Sequence, residues 1–306
     1  MSRIYEALQR AELEWKATQD SESSRAPAPD CLPPIEESPA VEDVVAPGNI
    51  AQHAWKLSIP SLPTLTERSA AGEQFRSLRS RIQQACYQAP LKTILVSSGM
   101  PSEGKSFVAV NLAISLARNT VSSVLLIDGD MRRPTIHNLL GASNTPGLSE
   151  YLSGATELND IVQRDRRPVT DESSDARKIS NLAFIPAGKC GDNSSELAAN
   201  HRIEKLVSAL SPHFDWILID SPPVLAVTDA VELARAADGV LLVARAESTP
   251  FDVAQRAQAA FSNSRILGFV LNAAKSAPSA GAYNYYYGSE VADDRAKSGT
   301  DSRRKP

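Results

Sequence analysis

The sequence predicts an α/β fold in three layers, a mainly parallel sheet with helices on both faces. Three observations predict it. Six short runs rich in Val, Ile and Leu recur at 91–97, 124–127, 182–185, 216–219, 240–244 and 266–271. Each is nearly continuous in apolar residues, as strands buried on both faces should be. Helical stretches lie between most of them, near 105–118, 195–210, 229–236 and 251–263, and such alternation is the mark of a parallel sheet. A glycine-rich turn joins the first run to the first of these helices, at Gly99–Ser106.

In chain order, residues 1–19 read as a short amphipathic helix. Ser2 can cap it, and Ile4, Leu8, Ala11 and Trp15 fall on one stripe. Its charges nearly cancel, so it suits a protein groove or its own domain better than an anionic membrane surface. Residues 20–64 are rich in Pro, Ser, Ala and Glu and are expected to form a disordered linker. The globular domain is expected over 65–275. It opens with a helix at 67–88 that carries Phe75, Leu78 and Ile82 on one face. The polar stretch 163–180 reads as a surface insertion. Residues 276–306 hold Ser, Ala, Gly, Tyr and charge, and are expected to be a flexible tail.

Bulk properties bound the function. The 32 basic and 36 acidic residues leave a net charge of −4, which argues against a nucleic-acid binder. The three cysteines, Cys31, Cys86 and Cys190, are scattered outside any metal-ligand spacing. No apolar run approaches the roughly 18–20 residues that cross a bilayer. A soluble, cytoplasmic chain is the expectation.

Gly99-Met100-Pro101-Ser102-Glu103-Gly104-Lys105-Ser106 has the spacing Gly-x-x-x-x-Gly-Lys-Ser between a buried strand and a helix. That context makes it a phosphate-binding loop and the fold P-loop NTPase-like. The glycines let backbone N–H groups turn inward to phosphate oxygens. Lys105 neutralises the β- and γ-phosphates, Ser106 is placed to ligate Mg²⁺, and the helix through Phe107 adds its positive N-terminal end. The whole stretch Gly99–Phe107 is therefore a nucleotide-site candidate. Two further strand ends are acidic: 124–127 runs into Asp128-Gly-Asp130, and 216–219 into Asp220-Ser-Pro-Pro. Ligands bind at the carboxyl edge of a parallel sheet, so three carboxylates beside a phosphate loop point to metal and proton chemistry.

Four of the seven tyrosines, Tyr283, Tyr285, Tyr286 and Tyr287, stand near the C-terminus without apolar alternation around them. Exposed phenols on a tail read as phosphoryl acceptors.

These features together resemble the bacterial tyrosine kinases of exopolysaccharide and capsule assembly, in their cytosolic catalytic module. The resemblance runs from about Glu73 to Tyr287. It rests on the phosphate loop, Asp128-x-Asp130-x-Arg132, Ile219-Asp220-Ser221-Pro222-Pro223, Gly147-Leu-Ser-Glu-Tyr-Leu152, Glu73-x-x-Arg76-x-x-Arg79 and the tyrosine cluster. The family's Asn-Pro-x-Glu-Leu-Leu segment appears as Asn193-Ser194-Ser195-Glu196-Leu197-Ala198.

The resemblance implies an ATP- and Mg²⁺-dependent protein-tyrosine autokinase that regulates polysaccharide polymerisation and export. Lys105, Asp128, Asp130 and Asp220 are the catalytic set implied, with Ser106, Asp128, Asp130 and Asp220 on the metal. The base is Asp128 or Asp130. Arg132 holds phosphate or substrate, or is a solvated arginine. Asn272 reads the adenine edge, or caps its strand. Glu73, Arg76 and Arg79 mediate subunit contact in a ring that delivers one subunit's tail to the next. The implied partners are further copies of the chain, a membrane-embedded co-polymerase that recruits the kinase to the inner face of the membrane, and a tyrosine phosphatase. Two rivals share the fold. A Min/Par-type ATPase switch carries a second lysine after the first loop glycine, where Met100 stands here. A non-catalytic adaptor needs no intact set of Lys105 and carboxylates.

Overall fold

The computed structural model describes residues 51–66, 69–87, 89–118, 122–165, 179–189, 194–199 and 201–275. The expected N-terminal helix, most of the expected linker and the tyrosine cluster lie outside the described residues.

Among the described residues eight strands form one sheet, in the spatial order 51–53, 163–165, 182–185, 124–128, 216–220, 93–98, 239–245 and 266–272. Six match the apolar runs: β2 (Thr93–Ser98), β3 (Val124–Asp128), β5 (Leu182–Ile185), β6 (Trp216–Asp220), β7 (Gly239–Arg245) and β8 (Ile266–Asn272). These six run parallel to one another. Their side chains alternate between two cores. Leu95, Leu125, Ile127, Ile217 and Ile219 face one, and Ile94, Val96, Leu126 and Leu218 face the other. Both faces are therefore apolar, which is why the runs lack polar alternation.

Helices cover each face. On one side α1 (Ala70–Cys86), α2 (Lys105–Ala117) and α3 (Ile136–Leu140) contribute Phe75, Ile82, Leu112 and Leu140. The opposite core takes residues from α4 (Leu148–Ser153), α5 (Leu158–Ile161), α6 (Ser194–Ala199), α7 (Arg202–Leu210), α8 (Asp229–Ala234) and α9 (Phe251–Ala260). The helix expected over 195–210 is two helices, because His201 takes a left-handed backbone at φ 56° and no α-helix continues through that conformation.

Two expectations need correction. The last part of the expected linker is built into the domain. Residues 51–53 form β1, and two 3-10 turns follow at Ile59–Ser61 and Pro63–Leu65. Trp55, Leu62 and Leu65 are buried, with Trp55 edge-on to Phe184 at 6.3 Å between ring centres. The fully buried Asn111 of α2 accepts from the Thr64 N–H and hydroxyl and donates to the Ser61 carbonyl. Three large apolar side chains and a paired amide outweigh a loop-like composition. Likewise the expected insertion starts as a strand: β4 (Gln163–Asp165) pairs antiparallel with β5 and parallel with β1. Residues 166–178 of that stretch lie outside the described residues.

Trp55→Ala should therefore cost about 3–5 kcal/mol, read from the urea midpoint by circular dichroism. A loss under about 1 kcal/mol, the scale of a surface change, would return this segment to linker.

Candidate functional site

β2 ends at Ser98, and α2 begins at Lys105. Between them the chain turns through two left-handed residues, Ser102 at φ 66° and Gly104 at φ 93°. Gly99 is pressed on α9, where an added Cβ would meet Val253 Cγ1 at 3.0 Å and Ala257 Cβ at 3.3 Å. Gly104 is more confined: its Cβ would stand 2.0 Å from the Asn272 amide nitrogen. Met100, Pro101 and Ser102 are exposed, while Glu103 turns inward and is buried. Phe107 packs against Phe75 of α1 at 5.8 Å. Alternation of this kind turns successive N–H groups to one side, the geometry of an anion nest.

The carboxyl ends of β3 and β6 are neighbours, with Asp128 and Asp220 in register. Both are fully buried, and Asp130 is nearly so. Lys105 Nζ lies 2.8 Å from Asp130 Oδ2 and 3.5 Å from the Ser106 hydroxyl. Asp128 spends its oxygens on its own loop, accepting from Asp130 N–H at 3.3 Å and Ile136 N–H at 3.2 Å. Asp130 Oδ1 accepts from Arg133 N–H at 3.0 Å. Asp220 differs: neither oxygen has a hydrogen bond of ordinary geometry. The Ser106 hydroxyl lies near enough only to favour its anion.

The charges do not balance. Burial, then the charge of Asp220, pushes Asp128 well above the usual carboxylate range against the Ile136 N–H and Lys105. Burial pushes Asp220 up to about 6, against the pull of Lys105 and the Ser106 hydroxyl. Burial alone would lower the Lys105 ammonium, but Asp220, Asp130 and Asp128 together raise it. One half-buried lysine faces three buried carboxylates, and the unpaired oxygens of Asp220 fit a divalent cation. Among the described residues no three carboxylate, imidazole or thiolate groups make a metal cage by themselves. Of the expected metal set Ser106, Asp128, Asp130 and Asp220, Asp130 is turned to Lys105. Mg²⁺ needs no such cage, because it keeps waters and phosphate oxygens beside one or two carboxylates.

Arg132 is anchored in the fold. Its Nε donates to the buried Asp229 Oδ2 at 3.0 Å, and its Nη2 donates to Ser195 Oγ at 2.6 Å. Ser195 in turn donates to Asp229 Oδ1 at 2.8 Å. The loop after Asp130 is thereby tied to α6 and α8. Asn272 ends β8 with its amide donating to the Glu103 carbonyl at 2.9 Å. The motif Gly147–Leu152 serves packing: the Glu150 carboxylate accepts from the N–H groups of Gly147 and Lys189, both at 2.9 Å. On α1, Glu73 and Arg76 are half-buried and pair at 2.8 Å. Arg79 instead donates to the Ser115 carbonyl of α2 at 2.6 Å. Asp229, Glu103 and Thr249 were not singled out by sequence reasoning as partners, because the contacts of Asp229 and Thr249 bridge about a hundred residues or more and leave no local pattern.

A phosphate loop on a parallel sheet, with strand-end aspartates at its edge, defines a P-loop NTPase. The family model described as "ParA: NUBPL iron-transfer P-loop NTPase" matches residues 91–300. The putative tyrosine-protein kinase CapB of Staphylococcus aureus is 32% identical over 225 residues, 73% of this chain and 92% of that protein. The putative tyrosine-protein kinase AmsA of Erwinia amylovora is 42% identical over 177 residues, 58% of this chain. The chain spans only 22% of the length of AmsA. Among solved structures, the kinase domain of Escherichia coli tyrosine kinase ETK superposes with a TM-score of 0.63 at 31% identity, covering 71% of this chain and 82% of that one. The chain belongs to the bacterial tyrosine-protein kinase family of P-loop NTPases. Among the described residues no helix is long and apolar enough to cross a membrane.

The raised Asp220 carries a stability consequence. Its folded pKa exceeds its unfolded value, so the folded state gains relative stability below the unfolded pKa and loses it as pH rises through about 6. At pH 7.5 Asp220→Asn should therefore stabilise the nucleotide-free protein by about 1–2 kcal/mol, roughly 2–8 °C in Tm. The gain should vanish at pH 4. A lower Tm at pH 7.5 would mean that the carboxylate is held by partners rather than waiting for one.

Proposed function

We propose that this chain is an ATP-dependent protein-tyrosine autokinase acting on Tyr283, Tyr285, Tyr286 and Tyr287. The observation that carries the reading is the charge imbalance at the sheet edge. A phosphate loop with its lysine stands beside Asp220, whose oxygens are buried and unpaired, in a member of a tyrosine-kinase family with four phenols near its end.

The Gly99–Phe107 segment binds the phosphates, with Lys105 neutralising the β- and γ-groups. Ser106 and Asp220 would hold Mg²⁺, with Asp128 and Asp130 as the further carboxylates of that edge, and the cation would supply charge neutralisation and alignment. The tyrosine oxygen attacks the γ-phosphorus, the bond to the β–γ bridging oxygen breaks, and ADP departs. The phenolic proton passes to Asp128 or Asp130. With a phenol pKa of about 10 and a loose transition state, the proton leaves late, so positioning and charge do most of the work.

Tyr283 and Tyr287 lie 12 and 16 residues beyond Leu271 (283 − 271 and 287 − 271). That is a reach of at most about 40–55 Å if extended, enough for the chain's own site or a neighbour's. Family membership favours transfer in trans within a ring, in which Glu73 and Arg76 provide the contact. On the same ground the kinase regulates exopolysaccharide or capsule polymerisation and export. A membrane-embedded co-polymerase recruits it to the inner face of the membrane, and a tyrosine phosphatase resets it. Four phosphates add roughly −6 to −8 charges to the tail, and that repulsion loosens the ring. The ATPase-switch alternative has less support, since Met100 replaces its second lysine.

Three outcomes test the reading. Lys105→Met should slow labelling by on the order of 100-fold or more, and labelling at the wild-type rate would refute the site assignment. Mixing that variant, tails intact, with one carrying Phe at all four tyrosines should label the Lys105→Met tail. An unlabelled tail would exclude transfer in trans. Glu73→Ala with Arg76→Ala should give smaller species by light scattering with Tm lowered by no more than a few degrees, because a solvent-reached pair contributes little stability. Arg79 is left in place for this test, since it holds α1 on α2. An unchanged mass distribution would remove the pair from the interface.

A further inference from the structure

The β7–β8 side of the sheet grips the phosphate loop at Glu103. Thr249, in the turn between β7 and α9, donates its hydroxyl proton to Glu103 Oε1. Thr249 Oγ1 also accepts from the Arg245 N–H at 2.8 Å, which leaves its own proton free to point at the carboxylate. Glu103 Oε2 accepts from the Met100 N–H at 2.7 Å, across the loop. The Glu103 carbonyl accepts from the Asn272 amide at 2.9 Å. Arg245 Nη1 adds a bond to the Ser102 carbonyl at 3.4 Å. Glu103 is 4% exposed, so losing one of these donors leaves a buried acceptor unmatched.

The loop needs such bracing. Ser102 and Gly104 on either side of Glu103 both have positive φ, and a serine there resists that conformation. Left to itself the segment would relax toward ordinary turn geometry and disperse the N–H groups that face the phosphates. Asn272 is engaged at both ends of its amide, since its Oδ1 accepts from the Ala273 N–H at 2.9 Å. We propose that Thr249 and Asn272 are positioning residues that hold the phosphate loop in its binding shape through Glu103, Asn272 acting on the phosphates through the loop backbone rather than on the base.

This inference rests on the nucleotide-site reading, and the test separates the two. Binding of Mg-ADP and of Mg-tripolyphosphate, which has no base, is measured by calorimetry on the full chain. Thr249→Val and Asn272→Ala should each weaken both ligands by a similar factor, about 10-fold. Thr249→Ser, which keeps the hydroxyl, should restore wild-type affinity. The double variant should lose less than the product of the single losses, because both act on Glu103. If Asn272→Ala weakens Mg-ADP but spares tripolyphosphate, the residue reads the base and the clamp is overturned. Unchanged affinity for both ligands in the single variants overturns it equally. If Thr249→Val fails to fold, as its melt will show, the two Asn272→Ala affinities decide. Wild-type protein that binds neither ligand would instead refute the nucleotide site itself.

Discussion

Three carboxylates buried beside one lysine is an arrangement that an isolated fold would avoid. Removing a charge from water costs several kcal/mol unless a partner compensates, and here Lys105 pairs with Asp130 at 2.8 Å. Asp128 is partly compensated by backbone N–H groups, and Asp220 is left without hydrogen bonds of ordinary geometry. The rest of the structure keeps this edge in place. Parallel strands β3 and β6 bring Asp128 and Asp220 into register, α2 brings Lys105 and Ser106, and a double apolar core fixes all three elements. Stability given up at one edge is supplied by two cores that are apolar on both faces of the sheet.

Around that edge, side chains act mainly as ties. Arg132 joins the loop after Asp130 to α6 and α8 through Ser195 and Asp229. Glu103 joins the phosphate loop to the end of β7 and β8. Glu150 joins α4 to the end of β5. Each tie converts a flexible strand-end loop into a braced one, and preorganised donors are what electrostatic catalysis requires.

Much of this was legible in the sequence, for physical reasons that also mark where reading stopped. The six parallel strands announce themselves because burial on both faces leaves unbroken Val, Ile and Leu. The phosphate loop shows through its glycines, and the strand-end aspartates through their position. β1 and β4 are three-residue strands of sequence Ala-Gln-His and Gln-Arg-Asp, whose polar composition resembles any surface loop. Trp55, Leu62 and Leu65 were hidden in a Pro- and Ser-rich stretch, although a tryptophan and two leucines were signal enough to look for a docked segment. The Arg132–Asp229 pair spans 97 residues, and nothing local to either residue reports it. The resemblance groups Glu73, Arg76 and Arg79, yet packing turns Arg79 to the Ser115 carbonyl.

This edge transfers phosphate to the tyrosines that can reach it. Mapping phosphopeptides after incubation of pure protein with Mg-ATP tests it most directly, because the chain carries an internal control. Tyr87 is 92% exposed but lies at the end of α1 before β2 begins. The neighbouring Ala85 carbonyl accepts from Arg265 at the start of β8, so Tyr87 sits at the sheet edge opposite the phosphate loop. Phosphate should appear on Tyr283, Tyr285, Tyr286 and Tyr287 and not on Tyr87. Phosphate on Tyr87 with the four others unmodified, or no phosphotyrosine at all, would contradict it.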